Sequence, residues 1–407
     1  MFYTIFCRIF QFFFNYGAYL FSWRKSIRVE GAGCIKEIPR LLKENNVKKP
    51  IVVTDPGLVK AGIAAKVTEV LDKAGVSYAL FKEVEPNPSI NTVNAIYDLC
   101  KSEGCDSFIA IGGGSSMDAA KAAAARTVKP GMAVAKMGGL FKIGKNLPLF
   151  IAVPTTAGTG SETTIAALIT DTSTHHKYAI MDIHLVPMFA VLDPELTIGL
   201  PPHITSTTGM DALTHAVESY ICRSMTTKET MQFSLEATKA IFENIFKVYK
   251  NGADIAARQE MLIASYKAGA AFTRTSVGNI HAIAHTLGGL YNTPHGLANA
   301  VILPIVLGDY GKAVWGKLAR MAEASGIALS ATATDEEKAK AFIKAIYDMN
   351  EKMGIPKGFD FIKTEDIPKM TQWAFKESNP VYPVPVIYSQ ERFRKIIEIL
   401  RSRGGKA

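Results

Sequence analysis

The sequence has few cysteines, no pair of them in Cys-x-x-Cys spacing, and no long run of basic charge. Its five cysteines are spread over 407 residues. An odd number without paired spacing argues against a disulfide framework or a cysteine metal site and indicates a reducing compartment, so we expect a cytoplasmic protein. No run of five basic residues and no nucleic-acid-binding motif accompanies the net charge of +9. We therefore expect a solvated basic surface and no nucleic-acid partner.

The first 23 residues are strongly aromatic, yet they lack the uninterrupted apolar run of about 20 residues that a membrane-spanning helix needs. Arg8, Gln11 and Asn15 interrupt the run, and no small-residue cleavage site follows it. We expect an amphipathic segment, without a membrane span, that packs on the protein or on a neighbouring subunit. Peripheral membrane contact is the alternative.

The length and the periodicity of the remaining chain predict two domains. Between residues 27 and 200, strand-like and helix-like stretches alternate, which predicts a mainly parallel sheet with covering helices. After Pro201 and Pro202 the periodicity is helical and strand signals nearly vanish. The predicted organisation is the aromatic segment 1–23, an α/β domain over 24–200 and a helical domain over 201–407.

Two glycine-containing loops follow predicted strands and are candidates for phosphate binding. Residues 111–116, IGGGSS, close a strand and open a helix, whose first N–H groups attract anions. Taken alone, this loop could equally be a tight strand–helix turn. Residues 154–162, PTTAGTGSE, combine two glycines with four hydroxyl side chains. Two such loops in one domain suit a dinucleotide better than a single phosphate.

Asp55 ends the first predicted strand, beside Gly57. A carboxylate at that position can accept hydrogen bonds from ribose hydroxyls and would repel a 2′-phosphate, which favours NAD over NADP. The alternative is an aspartate that caps a turn or a helix.

Histidine and aspartate recur at helical spacing in the second half of the chain. Asp211 and His215 are four residues apart, as are His281 and His285, so each pair shares a helix face. His295 follows a glycine- and proline-containing turn. A lone histidine is usually a packed or surface residue, but two clusters with an aspartate predict a site for Fe²⁺, Zn²⁺ or a similar divalent ion.

With these motifs, the chain resembles the iron-containing (group III) alcohol dehydrogenases over roughly residues 27–400. The motifs are specific only in combination: TD (54–55), PNPS (86–89), GGGSSMDAAKA (112–122), PTTAGTGSE (154–162), DPELT (193–197), GMDALTHAVESY (209–220) and HAIAHTLGGLYNTPHG (281–296). The resemblance implies a Rossmann-like α/β domain, which binds NAD, an all-α metal-binding domain, and a homodimer.

The resemblance also implies roles for individual residues. The metal, Fe²⁺ before Zn²⁺, would be held by Asp211, His215, His281 and His295. His285 would stand near the substrate and pass protons. The dinucleotide would be contacted by Asp55, Gly113, Gly114, Ser115, Asp118, Thr155, Thr156, Thr159 and Lys177. The substrate pocket would include Phe272, Val277 and Arg274.

The implied reaction is reversible hydride transfer between a primary alcohol and NAD(H), with the metal as a Lewis acid. Arg274 leaves a first alternative open, because an arginine in the pocket would favour an anionic substrate. The enzyme would then be a hydroxyacid dehydrogenase or transhydrogenase. Otherwise this arginine is a surface or salt-bridge residue. An alternative of another class is a metal- and NAD-using cyclase similar to dehydroquinate synthase, which needs a basic cluster for its substrate. A third is a non-enzymatic membrane-surface protein recruited through residues 1–23.

Overall fold

The structure is a computed structural model that describes residues 2–19, 23–172 and 176–404, without the side chains of residues 15, 18, 19, 176 and 177. The chain forms two compact units. An α/β unit comprises Trp23–Pro201 and Asn251–Gly269, and a helical unit comprises Met1–Ser22, Pro202–Lys250 and Ala270–Ala407. Residues 251–269 thus belong to the α/β unit although they follow Pro201, and the aromatic N-terminal segment belongs to the helical unit.

The regular elements are short strands in the α/β unit and helices throughout. The strands are β1 (Ile27–Glu30), β2 (Pro50–Val53), β3 (Ala79–Phe81), β4 (Ser107–Gly112), β5 (Gly139–Leu140), β6 (Leu149–Pro154), β7 (Ala166–Asp171), β8 (His176–Met181) and β9 (Phe189–Leu192). The helices are α1 (Phe2–Tyr19), α2 (Ile38–Glu44), α3 (Pro56–Lys60), α4 (Ile63–Lys73), α5 (Ile90–Ser102), α6 (Gly114–Val128), α7 (Val134–Met137), α8 (Pro202–Ile221), α9 (Lys228–Lys250), α10 (Ile255–Thr275), α11 (Asn279–Tyr291), α12 (His295–Tyr310), α13 (Trp315–Ala324), α14 (Asp335–Lys352), α15 (Ile367–Ser378) and α16 (Gln390–Ser402).

Six strands form a wholly parallel sheet in the order β1-β9-β6-β4-β2-β3, and β5, β8 and β7 form a second, smaller sheet. Strands β2, β4 and β9 are buried along their whole length, which explains why their sequences are continuous apolar runs. Successive side chains point to opposite faces. Ile51 and Val53 therefore pack in one core, and Val52 packs in the other. The predicted parallel sheet is confirmed.

The carboxyl ends of β2, β4 and β6 meet at one edge of this sheet. The register pairs Val53 with Ala110 and Gly112 with Pro154, so the three segments that follow these strands start side by side. In open α/β sheets, ligands bind outside the carboxyl ends of the strands. The edge therefore brings together Asp55 and the two glycine-containing loops.

Helix α8 is the buried helix around which the helical unit is organised. Every residue from Gly209 to Ile221 is buried. Helix α8 packs against α9 and α12, and α11 packs against α12 and α15. Because α12 contacts both α8 and α11, polar residues on these three helices can converge inside the unit.

Helix α12 contains Pro304, which has no N–H to donate to the carbonyl of Ala300 one turn earlier. The side chain of Asn350, on α14, donates to that carbonyl at 2.7 Å. An unpaired buried carbonyl would destabilise the fold by about 1–3 kcal/mol. Asn350 thus stabilises the interrupted helix from a neighbouring element.

Helix α1 packs within the helical unit through its polar side. Cys7 and Gln11 are buried, and Arg8 and Gln11 donate hydrogen bonds to backbone carbonyls in the segment 380–385. The predicted packing of this segment on the protein is found, but with the polar side inward. In the described part of the chain, no helix combines the length and the apolarity needed to cross a bilayer.

Candidate metal centre and coenzyme loops

Three helices of the helical unit bring Asp211, His215, His281 and His295 together. Helix α8 carries the first two on one face, α11 carries His281, and α12 begins at His295. Each residue offers one ligand atom, and the four atoms lie within 4.8 Å of one another. Because three of the four side chains are buried, the cluster is an internal polar site at which water competes poorly.

Asn299 identifies the point on which these ligand atoms converge. Its amide nitrogen lies 2.7 Å from Oδ1 of Asp211, and 3.1 Å from Nε2 of both His281 and His295. Because one nitrogen lies within hydrogen-bond distance of all three atoms, the three atoms face a common region. One carboxylate and three imidazoles are a donor set that suits Fe²⁺ or Zn²⁺. The residues present therefore fit a divalent ion.

Glu218 supports the centre from behind His281. It lies on α8 and accepts hydrogen bonds from Nδ1 of His281 at 2.5 Å and from the backbone N–H groups of Gly278 and Ile280 at 2.9 Å. Burial lowers the pKa of His281 well below its ordinary value and raises the pKa of Glu218 to about 8. The buried pair therefore resists carrying two full charges. Glu218 follows His215 by three residues, so helical spacing alone could have identified it.

His285 lies beside the cluster without belonging to it. Its ring stacks on that of His295, with 5.1 Å between centroids. Its Nδ1 lies 2.6 Å from Oε1 of Glu377, an oxygen that also accepts the hydroxyl of Tyr382 at 2.9 Å. His285, Glu377 and Tyr382 thus form a chain of hydrogen-bonding groups that starts at the cluster. No motif in the sequence pointed to the last two.

Phe272 is also in contact with the cluster. Its ring stacks on that of His215 with 4.1 Å between centroids and 13° between the planes. Arg274, in the last turn of α10, and Val277 are half-buried. An aromatic ring against the His215 imidazole gives the cluster an apolar wall, as the predicted substrate-pocket role of Phe272 requires.

In the α/β unit, the first glycine loop joins β4 to α6. Gly113 precedes the helix in an extended conformation, and no side chain caps the N-terminus of α6. A Cβ atom on Gly112, whose φ is +152°, would lie 2.5 Å from Oγ of Ser116. Only glycine fits there, and the uncapped N–H groups remain available to an anion such as a phosphate.

The second loop, residues 154–162, lies against the first. The N–H of Thr155 donates to the carbonyl of Gly112 at 3.0 Å. A Cβ on Gly113 would lie 3.3 Å from Oγ1 of Thr156, and a Cβ on Gly114 would lie 3.2 Å from Cγ2 of Thr159. The two glycines therefore allow the threonines to approach the start of α6. These contacts form a continuous cradle of backbone N–H and hydroxyl groups.

Two buried side chains of α6, Lys121 and Asp118, form hydrogen bonds with the end of the second loop and the residues that follow it. The ammonium group of Lys121 is fully buried and donates to the carbonyls of Ser161, Thr164 and Ala166. Burial lowers its pKa to about 8. The carboxylate of Asp118 accepts hydrogen bonds from Oγ of Ser161 at 2.8 Å and from the N–H of Leu168 at 3.0 Å.

In this position both carboxylate oxygens of Asp118 are engaged inside the protein, and its contact with a dinucleotide stays a prediction. Asp118 positions the loop that was expected to contact a dinucleotide. Ser115 is half-buried in the first turn of α6. Lys177 is in β8, and its side chain lies outside the described part of the structure.

Asp55 caps α3, the structural role that the sequence left open. Its Oδ1 accepts the N–H of Leu58 at 3.0 Å, and its Oδ2 lies 3.4 Å from Oγ of Ser116. The first bond is a normal N-cap, whereas the second is long. One carboxylate oxygen at the sheet edge is therefore only weakly engaged.

Comparison with known proteins agrees with this geometry. Residues 26–194 match the model of the iron-containing alcohol dehydrogenases, and residues 205–402 match that of the C-terminal part of the same family. The chain belongs to the iron-containing alcohol dehydrogenase family. Helix α1 precedes the matched residues.

Named relatives of this alcohol dehydrogenase cover nearly its whole length. It is 37% identical to the NAD-dependent methanol dehydrogenase of Bacillus methanolicus over 86% of this chain and 93% of the relative. It is 35% identical to the lactaldehyde reductase of Escherichia coli K12 over 85% of this chain and 91% of that one. The solved structure of an alcohol dehydrogenase from Oenococcus oeni superposes with a TM-score of 0.89 at 33% identity, covering 93% of this chain and 100% of that one. The predicted fold class and enzyme class are confirmed.

Proposed function

We propose that this chain catalyses reversible hydride transfer between a small primary alcohol and NAD(H) at one divalent ion. The observation that carries the proposal is the convergence of four ligand atoms within 4.8 Å in the helical unit. NAD as coenzyme is supported by the name of the methanol dehydrogenase relative. A cytoplasmic homodimer is part of the proposal. The five cysteines, all free in the structure, agree with a reducing compartment.

Asp211, His215, His281 and His295 would hold the ion, with Fe²⁺ proposed before Zn²⁺. A bound divalent ion supplies Lewis acidity, which lowers the pKa of an alcohol hydroxyl. Glu218 keeps His281 in the orientation that turns Nε2 toward the cluster. The amide nitrogen of Asn299 lies beside Asp211 and two of these imidazoles.

The coenzyme would bind along the cradle of the α/β unit. The start of α6 at Gly113, Gly114 and Ser115 offers uncapped N–H groups to the pyrophosphate. The loop residues Thr155, Thr156 and Thr159 border it, and Lys177 is proposed as a further contact. The weakly engaged oxygen of Asp55 would accept a ribose hydroxyl and disfavour a 2′-phosphate. The nicotinamide supplies the hydride acceptor.

His285 is proposed to take the proton that the alcohol loses. Its Nδ1 faces Glu377, so its Nε2 is the atom available to a substrate or to water. Glu377 can stabilise the imidazolium that forms, and Tyr382 donates to the same carboxylate. Burial raises the pKa of Tyr382 well above its ordinary value, so its phenol stays protonated as a donor.

A small neutral alcohol suits the apolar wall that Phe272 forms against His215. The names of relatives agree with it, because they include a methanol dehydrogenase and a 1,3-propanediol dehydrogenase. Val277 is proposed to line the same pocket. Arg274 would favour an anionic substrate only if its guanidinium faced that pocket, so hydroxyacids are the second class to assay.

The test combines an anaerobic NADH-linked assay on alcohols, diols and hydroxyacids with metal analysis of the same sample. The wild type should contain about one divalent ion per chain and reduce NAD with a primary alcohol. His295→Ala should lose metal and activity together. The matched control is His203→Ala, since His203 is exposed at the start of α8. Full metal occupancy in His295→Ala would remove His295 from the ligand set.

A further inference from the structure

Helix α1 packs on the protein in the opposite sense to an ordinary surface helix. Surface helices usually bury an apolar stripe and expose charges. Here Arg8 donates to the carbonyls of Val384 and Pro385 at 2.8 and 2.9 Å, and the amide of Gln11 donates to the carbonyls of Pro380 and Tyr382 at 3.0 and 2.7 Å. These four bonds fix the rotation of the helix, so its outward face is set by specific contacts.

The outward face of α1 is aromatic and aliphatic. Nine of the fifteen large hydrophobic side chains that are exposed in the described structure lie on this helix: Phe2, Tyr3, Ile5, Phe6, Ile9, Phe10, Phe12, Phe13 and Tyr16. Phe12 and Phe13 are 66% and 68% exposed. At about 100° per residue, the nine positions cover about 180° of the helix circumference. We refer to these nine residues as the aromatic face.

No charged side chain interrupts the aromatic face. Within its arc, the described residues are only phenylalanine, isoleucine, tyrosine and glycine. Contiguous apolar patches of this kind are rare on monomeric proteins and mark sites of protein or membrane contact. The face covers about half of the helix circumference. A protein partner would need a matching groove and would usually add a polar rim.

We propose that the aromatic face docks this enzyme on an anionic lipid surface, with α1 lying in the plane of the membrane. The helix has 18 residues and is therefore about 27 Å long, enough to insert as an in-plane amphipathic anchor. Tyr16 is 67% exposed on this face, and an aromatic ring with a polar tip suits the headgroup level.

The charge of the chain complements anionic headgroups. The first 29 residues contain no acidic side chain, and the whole chain carries a formal net charge of +9. Basic residues close to a lipid surface add to the attraction of apolar side chains, and salt screens that contribution. Because α1 precedes the family-matched residues, this function is separate from catalysis and does not depend on the proposed reaction.

The experiment is co-sedimentation of the full chain with phosphatidylcholine vesicles, with and without phosphatidylglycerol. We expect the wild type to bind the anionic vesicles, to bind neutral ones much less, and to be released by high salt. Phe12→Ser/Phe13→Ser should reduce the bound-to-free ratio by about tenfold or more, because two exposed rings no longer enter the lipid. Val59→Ser/Leu80→Ser is the matched control, since both residues are exposed and belong to other elements, α3 and β3.

Circular dichroism and NADH-linked turnover, unchanged in both variants, would show that folding is intact. Failure of the wild type to bind anionic vesicles would overturn the proposal, as would equal binding by the Phe12/Phe13 variant. Equal binding to neutral vesicles would overturn the anionic assignment. A second copy is the competing occupant. If the wild type without lipid forms a larger assembly than the variant by light scattering, the aromatic face is an interface between copies and the proposal is wrong.

Discussion

Nδ1 of His281 lies 2.5 Å from the carboxylate of Glu218, and both side chains are 2% exposed. The contact determines which imidazole nitrogen carries the hydrogen, because Nδ1 donates to the carboxylate and Nε2 faces the cluster with its lone pair. Two further donors, the N–H groups of Gly278 and Ile280, hold the carboxylate in place. The start of α11 is thereby tied to α8.

Glu218→Gln should weaken metal binding by about 10–100-fold. The substitution replaces one carboxylate oxygen by an NH₂ group, which would face a donor instead of accepting from it. The measurement is competition for Zn²⁺ against a chelator of known affinity. Glu243→Gln, on an exposed part of α9, is the control. Unchanged affinity in Glu218→Gln would mean that the contact serves only folding.

Asn299→Ala should destabilise the metal-free protein more than the metal-loaded protein. Without metal, the amide nitrogen of Asn299 lies within hydrogen-bond distance of Asp211, His281 and His295 and can donate to two of them, and losing such bonds costs about 1–3 kcal/mol. A bound ion would satisfy the same lone pairs and would add its binding energy to the folded state. Thermal melts before and after chelation measure the difference. An equal loss of melting temperature in both forms would assign Asn299 a packing role only.

The contact between His285 and Glu377 should matter for turnover and not for metal occupancy. His285→Ala should lower kcat by about 10²–10⁴-fold, as expected for loss of an acid–base group, while metal content and the affinity for NAD are retained. Glu377→Gln should give a smaller loss in kcat, with KM little changed. Tyr382→Phe removes only the hydroxyl that donates to Glu377 and should give the smallest loss in kcat. Metal loss in His285→Ala with normal retention in His281→Ala would instead make His285 a ligand.

Two substitutions at Asp55 should separate its capping role from its coenzyme role. Asparagine caps helices about as well as aspartate, but alanine does not. Asp55→Asn should therefore raise the use of NADP relative to NAD without a loss of stability. Asp55→Ala should raise it too and cost about 1 kcal/mol in the free energy of unfolding. A wild type that already prefers NADP, or an Asn variant with unchanged preference, would show that Asp55 only caps α3.

Glu162 should give the protein a measurable dependence of stability on pH. Burial raises its pKa from 4.5 to about 7, against the opposing effects of its own backbone and of Lys121. Between these values the folded chain keeps a proton that the unfolded chain releases, so stability falls as pH rises through this window. Glu162→Gln should abolish that part of the fall in urea titrations. Glu69→Gln, at an exposed site, should leave the fall of stability with pH unchanged. An unchanged fall in both variants would contradict the raised pKa of Glu162.

Much of the grouping of these histidine and aspartate side chains is predictable from the sequence because it depends on helical spacing. Asp211 and His215 share a face by period alone, and Glu218 could have been found by extending the same count. Glu377 could not, because it contacts His285 across 92 positions of sequence and follows no motif. Tyr382 could not either, because it contacts Glu377 and not His285. Periodicity also does not predict which domain a helix packs on. Residues 251–269 were expected in the helical domain because they are helical, but they belong to the α/β unit.

For the N-terminal helix α1, the sequence does not predict which side packs on the protein. Its amphipathic pattern predicted packing on the protein, and packing is found. The pattern alone favours burial of the apolar side, whereas Arg8 and Gln11 turn the polar side inward. Those contacts depend on backbone carbonyls of residues 380–385, a segment outside the helices and strands. A sequence does not reveal which carbonyls of such a segment will accept side-chain donors.

The proline in α12 affects how natural variation in this chain should be interpreted. Asn350 donates to the Ala300 carbonyl that Pro304 leaves unpaired. The residue at position 304 therefore determines whether a donor is needed at position 350, although 46 positions separate the two. A lineage that replaced Pro304 would restore a backbone donor and release Asn350 from selection. A lineage that first lost Asn350 would carry an unpaired carbonyl until the proline also changed. The order of the two substitutions is therefore constrained: the proline is free to drift first, and the asparagine is not.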